Sequence, residues 1–312
     1  MTSITYVDRP FGHILADLGE HHPNLVWVEA DLQRATETDL FEELFPERYF
    51  DVGVAEANMV GIATGLAQSG KVAFCGTFAC FMSQRVCDQV AISVAYCRSN
   101  VKMFGFDAGL ASGGNGASHQ GMLDLAIMRS MPNMTVFVPG DATETRAIME
   151  WLVENPGPAY VRAPRGKTPV ILDAQYRFQP GKAVRLRDGK DATIIACGTM
   201  VIRALQAADT LAVQGLDVQV INMSSIKPLD EEAIVAAAEG TGRIVTAEDH
   251  NIYGGLGSAV AEVLCEQRPA RLKRVGIRDS FGEVGPVDWL AEKYGISAGH
   301  IAQAVRDILR QS

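Results

Sequence analysis

Segments with strand-like and helix-like patterns alternate from one end of this 312-residue chain to the other. Such alternation predicts parallel sheets covered by helices and leaves few other folds open. The length suits two domains. We therefore expect two successive open, mostly parallel α/β domains, residues 1–170 and 191–312, joined by a linker, residues 171–190. Residues 159–162 are expected to close the first sheet, and a short strand pair is expected within 163–190.

The composition argues against several classes of protein. The chain is 47% hydrophobic and 21% charged, as globular domains are, and its net charge of −9 disfavours a nucleic-acid or anionic membrane surface. The N-terminus lacks the pattern of a signal peptide, and no run of about 18 apolar residues suggests a spanning helix. We expect a cytoplasmic protein whose six cysteines, none in a CxxC pair, are reduced.

The stretch 49–67, YFDVGVAEANMVGIATGLA, predicts a short strand, a tight turn at Gly53 and a helix of small apolar residues. Gly61 and Gly65 lie four apart, on one helical face. Each glycine costs about 1 kcal/mol relative to alanine in a helix, so we expect close backbone packing on that face. Glu56 lies in the first turn. Its carboxylate is either held by the helix N-terminus, kept partly protonated by desolvation, or an ordinary first-turn acid.

A long helix is predicted over residues 78–99, which follow the strand around 72–75. Phe78 and Phe81 are three apart and would be neighbours on it. They either form an aromatic wall for a flat ring or belong to a plain core stripe.

Two further loops carry polar side chains where open α/β sheets bind ligands. His119 follows a glycine-rich loop, residues 108–121, and is a candidate acid, base or hydroxyl donor, although a lone loop histidine is usually a surface residue. Arg162, Arg165 and Lys167 form a local cationic cluster. It either holds a phosphate or sulfonate or is a solvated basic loop.

The sequence lacks a GxxxxGK[ST] phosphate loop, a GxGxxG turn, a GxSxG elbow and a metal-ligand cluster. It does contain, in order, DL, AEANM, TFACF, GASHQG, MPNM and PGD. In this order and spacing, and over essentially the whole chain, the sequence resembles the C-terminal half of transketolase. The resemblance implies a thiamine diphosphate enzyme made of a pyrimidine-binding domain and a transketolase-type C-terminal domain.

The resemblance also implies roles for particular residues. Glu56 falls at the acid that hydrogen-bonds the aminopyrimidine ring of the cofactor, and Phe81, with Phe78, falls where the family stacks an aromatic ring on it. Asp31 and Leu32 fall at a loop that lines the thiazolium ring.

Other implied roles concern the substrate. His119 falls at the histidine that binds the donor sugar, and Arg162 at the arginine that grips its phosphate. Four positions depart from the usual transketolase pattern. Asn115 replaces an acid that contacts a substrate hydroxyl, and Asp107 stands where a histidine is usual and where deoxyxylulose-phosphate synthases carry an acid. Gln84 and Cys87 replace common ring residues near the pyrimidine.

The family anchors the cofactor diphosphate through Mg2+, held by a GDG motif in its N-terminal half. This chain lacks that motif; Gly140-Asp141-Ala142 does not match it. The resemblance therefore implies a split enzyme in which a separate N-terminal subunit carries the diphosphate and Mg2+ site. We expect an α2β2 heterotetramer with self-association of this chain, in which the helix after Glu56 packs against its symmetry mate or the partner.

The resulting hypothesis is transfer of a two-carbon ketol unit from a ketose phosphate, or another anionic ketose, to an aldose phosphate. A pentose phosphate, a branched ketose phosphate and a sulfonated sugar all fit as donor. Three alternatives remain open. They are the β subunit of a 2-oxo acid dehydrogenase E1 component, a deoxyxylulose-phosphate synthase-like enzyme, and a non-enzymatic chain that binds and regulates a partner.

Overall fold

A computed structural model describes residues 4–310, and it contains two mostly parallel sheets with helices packed against them. The expected α/β fold is thereby confirmed. The strands of the first half are β1 Thr5–Val7, β2 Leu25–Glu29, β3 Tyr49–Asp51, β4 Val72–Phe78, β5 Val101–Phe106, β6 Thr135–Phe137, β7 Ala159–Arg162 and β8 Thr168–Val170. Its helices are α1 Pro10–His21, α2 Asp39–Leu44, α3 Glu56–Gln68, α4 Cys87–Gln89, α5 Asp124–Ser130 and α6 Ala142–Glu154.

The second half repeats the alternation of strand and helix. Its strands are β9 Val184–Arg187, β10 Ala192–Ala196, β11 Val218–Asn222, β12 Ser225–Lys227, β13 Arg243–Asn251 and β14 Arg271–Ile277. Its helices are α7 Met200–Ala212, α8 Glu231–Gly240, α9 Leu256–Glu266, α10 Val287–Lys293 and α11 Ala298–Arg310. In residues 4–310, no helix is long and apolar enough to cross a membrane.

The first sheet has seven strands in the order β12-β6-β7-β5-β4-β2-β3, and all are parallel except β12. The prediction that residues 159–162 close this sheet is wrong, because β7 lies between β6 and β5. The edge strand beyond β6 is β12, which the chain supplies from its second half. The two halves are therefore joined by a strand pairing as well as by the connecting chain.

The second sheet has five strands in the order β14-β13-β10-β11-β9, with only β9 antiparallel to its neighbour. The strand pair expected within 163–190 is wrong in its pairing. β8 pairs with β1 near the N-terminus, and β9 pairs with β11 of the second sheet. Both strands were predictable as short extended segments, but their partners lie more than 30 residues away.

Interior strands of the first sheet, such as β2 and β5, are buried on both faces, as parallel strands under helices must be. In β2, Val26 and Val28 join one core cluster, and Leu25 and Trp27 join another on the opposite face. The first of these clusters also contains Ile226 from the second half of the chain. Apolar packing thus continues from one half into the other.

Local signals account for several helix starts. Asp141 is the N-cap of α6, and its carboxylate accepts a hydrogen bond from the backbone N–H of Glu144 at 2.7 Å. Asp230 caps α8 in the same way through Ala233 N–H, at 3.0 Å. The turn predicted at Gly53 is present, with φ of 72°.

Two predictions about helices need correction. The helix expected over 78–99 is interrupted: Phe78 ends β4, and two π-helical segments, Phe81–Arg85 and Val90–Tyr96, flank the short α4. Segments of this kind are frequent at functional sites. On α3, a Cβ atom added at Gly61 or Gly65 meets nothing within 4 Å in residues 4–310 other than the neighbouring backbone of the helix itself. The close packing expected there is therefore not made by the described part of the chain.

Candidate active site

Several predicted site residues lie at one edge of the first sheet, where its parallel strands end. β5, β4, β2 and β3 are neighbours, and their carboxyl ends lead into the loops or helices that carry these residues. Asp51, at the end of β3, holds the turn together, because its Oδ1 accepts the backbone N–H groups of Asp31 and Gly53 at 3.0 and 2.9 Å. The Asp31–Leu32 loop is thereby tied to the turn that leads to Glu56.

Glu56 is the first residue of α3, and only 7% of its side chain is exposed. Its Oε1 accepts a hydrogen bond from Arg85 Nη1 at 2.7 Å. Arg85 itself is half exposed. Glu56 is therefore not an ordinary solvated first-turn acid: it is a nearly buried carboxylate whose charged partner stands in solvent.

Arg85 links this carboxylate to a group of aromatic rings. Phe78 and Phe81 have ring centroids 5.9 Å apart, and the His119 ring lies edge-on to both, at 5.7 and 5.1 Å. The Arg85 guanidinium lies over the Phe81 ring, with Cζ 3.6 Å from the ring centroid. Four of the residues, Glu56, Arg85, Phe81 and His119, form one continuous group, which we call the acid–aromatic cluster.

The loop 108–121 that presents His119 is held by the second half of the chain. The backbone N–H of Leu110 donates to the Asp249 carboxylate at 3.1 Å, and Gly285 N–H donates to the Gly113 carbonyl at 3.0 Å. Gly109 has φ of 64°, and a Cβ there would lie 2.2 Å from the Asp249 carboxyl carbon. This glycine is required both by its conformation and by the close approach of Asp249. Asn115 lies exposed on the same loop.

Gln84 lines a cavity of about 340 Å³ beside this loop, together with Cys80, Ser118 and Phe281. Burial raises the pKa of the Cys80 thiol to about 12, so the thiol remains protonated near neutral pH. Ser118 Oγ lies 2.9 Å from His119 Nδ1.

Arg162 is nearly buried and is bonded to several protein acceptors. Its Nε and Nη2 donate to the two oxygens of Asp124, at 2.8 and 2.6 Å. Nη1 and Nη2 also donate to the carbonyls of Asp249 and Gly121, at 2.9 and 3.3 Å. Only 8% of the side chain is exposed. The role of Arg162 in gripping a substrate phosphate stays a prediction, and in this structure protein acceptors take hydrogen bonds from Nε, Nη1 and Nη2.

Arg165 is placed differently. It is 42% exposed, and its Nη1 donates to Asp107 Oδ2 at 2.5 Å. Both residues line a cavity of about 610 Å³ that also includes Lys167. Burial raises the pKa of Asp107, and the neighbouring Arg165 opposes this shift. Arg162 lines the same cavity, but it is 8% exposed and is bonded to protein acceptors, whereas Arg165 is 42% exposed. The members of the cationic cluster predicted from the sequence thus differ in exposure.

Sequence reasoning did not single out Arg85 or Asp124. Arg85 follows Phe81 by four residues, and that spacing could have indicated contact on one helical face. Asp124 lies 38 residues before Arg162, and no local pattern indicates that pairing.

Comparison with known proteins matches both halves of the chain. The model of the transketolase pyrimidine binding domain matches residues 7–170, and that of the transketolase C-terminal domain matches residues 181–301. The chain belongs to the transketolase family. The first match contains the acid–aromatic cluster, so the site lies in the domain named for binding a pyrimidine.

Individual relatives support this membership. The chain is 46% identical over 304 residues to a 6-deoxy-6-sulfo-D-fructose transketolase subunit of Clostridium sp., covering 97% of this chain and 93% of the relative. It is 40% identical to 1-deoxy-D-xylulose-5-phosphate synthase 1 of Geobacter sulfurreducens, covering 96% of this chain and 47% of the relative. A solved split gene transketolase, described as an inactive β4 tetramer, superposes with a TM-score of 0.90 at 44% identity, covering 96% and 97% of the two chains.

Proposed function

We propose that this chain is the C-terminal subunit of a split, thiamine-diphosphate-dependent transketolase. It takes part in moving a two-carbon ketol unit from an anionic ketose to an aldose phosphate. The acid–aromatic cluster carries the proposal: a nearly buried carboxylate, an aromatic ring face and a histidine stand together at the edge of the first sheet. A relative that is 46% identical is a transketolase subunit, of which this chain covers 93%.

The residues present fit the pyrimidine side of the cofactor. A flat heteroaromatic ring needs an aromatic face to stack on and an acceptor in its plane for an N–H group. Phe81 offers the face and Glu56 the acceptor, and both are now satisfied by a single side chain, Arg85. When bound, the cofactor supplies the nucleophile and the electron sink for ketol transfer. Glu56 would hold a proton at the ring, and His119 would donate to the sugar.

The remaining part of the cofactor site is proposed to lie on another chain. This sequence lacks the diphosphate-binding motif of the family, and it spans about half the length of the one-chain synthase relative. The solved β4 relative is described as inactive. We therefore assign the diphosphate and Mg2+ to a separate N-terminal subunit, in an α2β2 assembly.

For the anion of the donor ketose, we now propose Arg165 in place of Arg162. Its half-exposed guanidinium faces a cavity, and arginine binds phosphate or sulfonate oxygens through two parallel hydrogen bonds. Asp107, its present partner, would position it or contact a sugar hydroxyl. Asn115 remains a proposed contact to the donor, and an amide there can both donate and accept a hydrogen bond.

The test is to express this chain with and without a subunit that carries the diphosphate and Mg2+ site. Ketol transfer to glyceraldehyde 3-phosphate is then assayed with phosphorylated and sulfonated ketoses as donors. We expect activity only in the mixture and its loss in Glu56→Gln, with Glu43→Gln, an exposed acid, as the control. Activity of this chain by itself, or full activity in Glu56→Gln, would contradict the proposal.

A deoxyxylulose-phosphate synthase-like activity is the second candidate, favoured by the 40% identity to such an enzyme. The same mixture should then consume pyruvate together with glyceraldehyde 3-phosphate and release carbon dioxide. Pyruvate consumption without ketol transfer would replace the first proposal with this one.

A further inference from the structure

Arg85 occupies an unusual position in the acid–aromatic cluster. Its guanidinium lies over the Phe81 ring at 3.6 Å and donates to Glu56 Oε1 at 2.7 Å. The side chain reaches both groups from the end of the π-helical segment Phe81–Arg85. One side chain therefore covers the ring face and neutralises the carboxylate at the same time.

The chemistry of this contact resembles that of a nitrogen heterocycle. A guanidinium is planar and delocalised, stacks on aromatic faces, and presents N–H donors in its plane. Those are the two features that Phe81 and Glu56 would require of an aminopyrimidine ring. A lysine ammonium shares the charge but has no flat face.

Resting on the proposed function, we propose that Arg85 is a displaceable surrogate for the cofactor's pyrimidine ring. It holds Glu56 and Phe81 before the ring binds and leaves both when the ring binds. The cofactor must therefore compete with a side chain of the protein. Arg85 is a regulating residue of the binding site and takes no part in the reaction.

Burial of the two partners supports this reversible arrangement. Glu56 is 7% exposed, so its removal from water has already occurred before any ligand arrives. Arg85 is 50% exposed, so its guanidinium can return to solvent at little loss. A pair with one partner in water opens far more readily than a pair buried on both sides.

Competition of this kind lowers the apparent affinity for the cofactor in proportion to the fraction of chains in which Arg85 has left Glu56 and Phe81. One ion pair and one cation–π contact at a half-exposed position together correspond to about a tenfold effect. Arg85→Ala should therefore bind thiamine diphosphate about tenfold more tightly than the wild type. Arg85→Lys, which retains the charge but not the flat face, should lie between them.

The experiment uses the two-subunit complex and measures the affinity for thiamine diphosphate with Mg2+ by isothermal titration calorimetry. Arg146→Ala is the control, since Arg146 is 43% exposed, pairs with Asp17 and lies on α6. It changes the net charge equally and should leave the affinity unchanged. Thermal unfolding of each variant shows that the chains are folded.

The outcomes separate this inference from the proposed function. If the wild-type complex does not bind thiamine diphosphate, the proposed function is wrong and the inference with it. If the wild type binds and Arg85→Ala binds equally or more weakly, only the inference is wrong. Weaker binding would make Arg85 a cofactor contact instead.

A structure of the complex with the cofactor tests the same point without relying on affinity. We expect the guanidinium to have left the Phe81 ring face and Glu56 to accept its hydrogen bond from the ring. A guanidinium that stays on Phe81 with the cofactor bound would overturn the inference.

Discussion

Two acid–arginine pairs of this chain have the same charges and differ in their surroundings. Asp124 and Arg162 are 0% and 8% exposed, whereas Glu56 and Arg85 are 7% and 50% exposed. In the first pair both oxygens of the acid and three nitrogens of the arginine are bonded within the protein. In the second pair the arginine has one carboxylate and one ring face.

The difference separates a structural pair from an exchangeable one. When a charged group and all its partners are buried, breaking the pair leaves an unpaired charge in the interior. A pair with one member in water can exchange that member for a ligand. Although burial alone raises the pKa of Asp124, the charge and hydrogen bonds of Arg162 hold it below the usual value. The Asp124–Arg162 pair thus remains ionised, and its members do not exchange partners.

The largest expected effect is on the Asp124–Arg162 pair, in which both side chains are buried. Asp124→Asn should destabilise the chain by about 3–5 kcal/mol, because Arg162 would be left buried without a negative partner. The free energy of unfolding is measured with guanidinium chloride. The matched change in the Glu56–Arg85 pair, Glu56→Gln, should alter that free energy by under about 1 kcal/mol, because Arg85 is half exposed. Equal losses in the two variants would refute the distinction between the pairs.

The stability of the buried region around Asp124 should also depend on pH through His250, which is buried beside Asp124. Its Nδ1–H donates to the Asn251 carbonyl at 2.6 Å, and its Nε2 accepts Ala126 N–H at 3.4 Å, which requires a neutral ring. Burial lowers the pKa of His250 to about 4. The unfolded chain therefore binds a proton that the folded chain rejects between pH 6.5 and 4.

Stability from His250 is accordingly complete above pH 6.5 and is lost as the pH falls towards 4. In His250→Gln, the difference in unfolding free energy between pH 7 and pH 4.5 should shrink, by on the order of 1–3 kcal/mol. His13→Gln, at an exposed position, is the control. An unchanged pH dependence in His250→Gln would show that the ring is already charged in the folded chain.

The sequence predicted the fold well because parallel strands and amphipathic helices leave local patterns. It also placed Glu56, Phe81 and His119 at one edge, since strand ends of a parallel sheet share an edge. It could not separate Arg162 from Arg165. Three residues apart in one basic stretch, they differ only through Asp124 and Asp249, which the fold brings from 38 and 87 positions away. The pairing of β12 with β6 was missed for the same reason.

A third pair, Asp107–Arg165, lies between the two extremes in its surroundings, with 7% and 42% exposure. If Arg165 can exchange Asp107 for a ligand, Arg165→Gln should leave stability nearly unchanged. It should raise the KM for an anionic donor about tenfold, or about 1.4 kcal/mol. Steady-state kinetics of the two-subunit complex measure this, with Arg177→Gln in the exposed connecting segment as the control. A KM that stays at the wild-type value would remove Arg165 from the substrate site.

The smallest expected effect concerns two glycines, one enclosed by other atoms and one with free space around it. Gly12 on α1 is enclosed, since an added Cβ would lie 2.2 Å from the Glu37 carbonyl oxygen, whereas an added Cβ at Gly61 on α3 meets nothing within 4 Å. Gly12→Ala should therefore destabilise the chain, by about 1–3 kcal/mol. Gly61→Ala should stabilise it, by about 0.5–1 kcal/mol, because alanine favours a helix. Unfolding in denaturant measures both.

The same Gly61→Ala variant tests what covers α3 in the assembled enzyme. A glycine that weakens its own helix without a contact inside the chain is expected to make one outside it. Sedimentation should then show weaker assembly of the variant, either with itself or with the partner subunit, although the isolated chain is more stable. If stability rises and assembly is unchanged, the α3 face is free in the complex, and the predicted contact with a symmetry mate or partner must lie elsewhere.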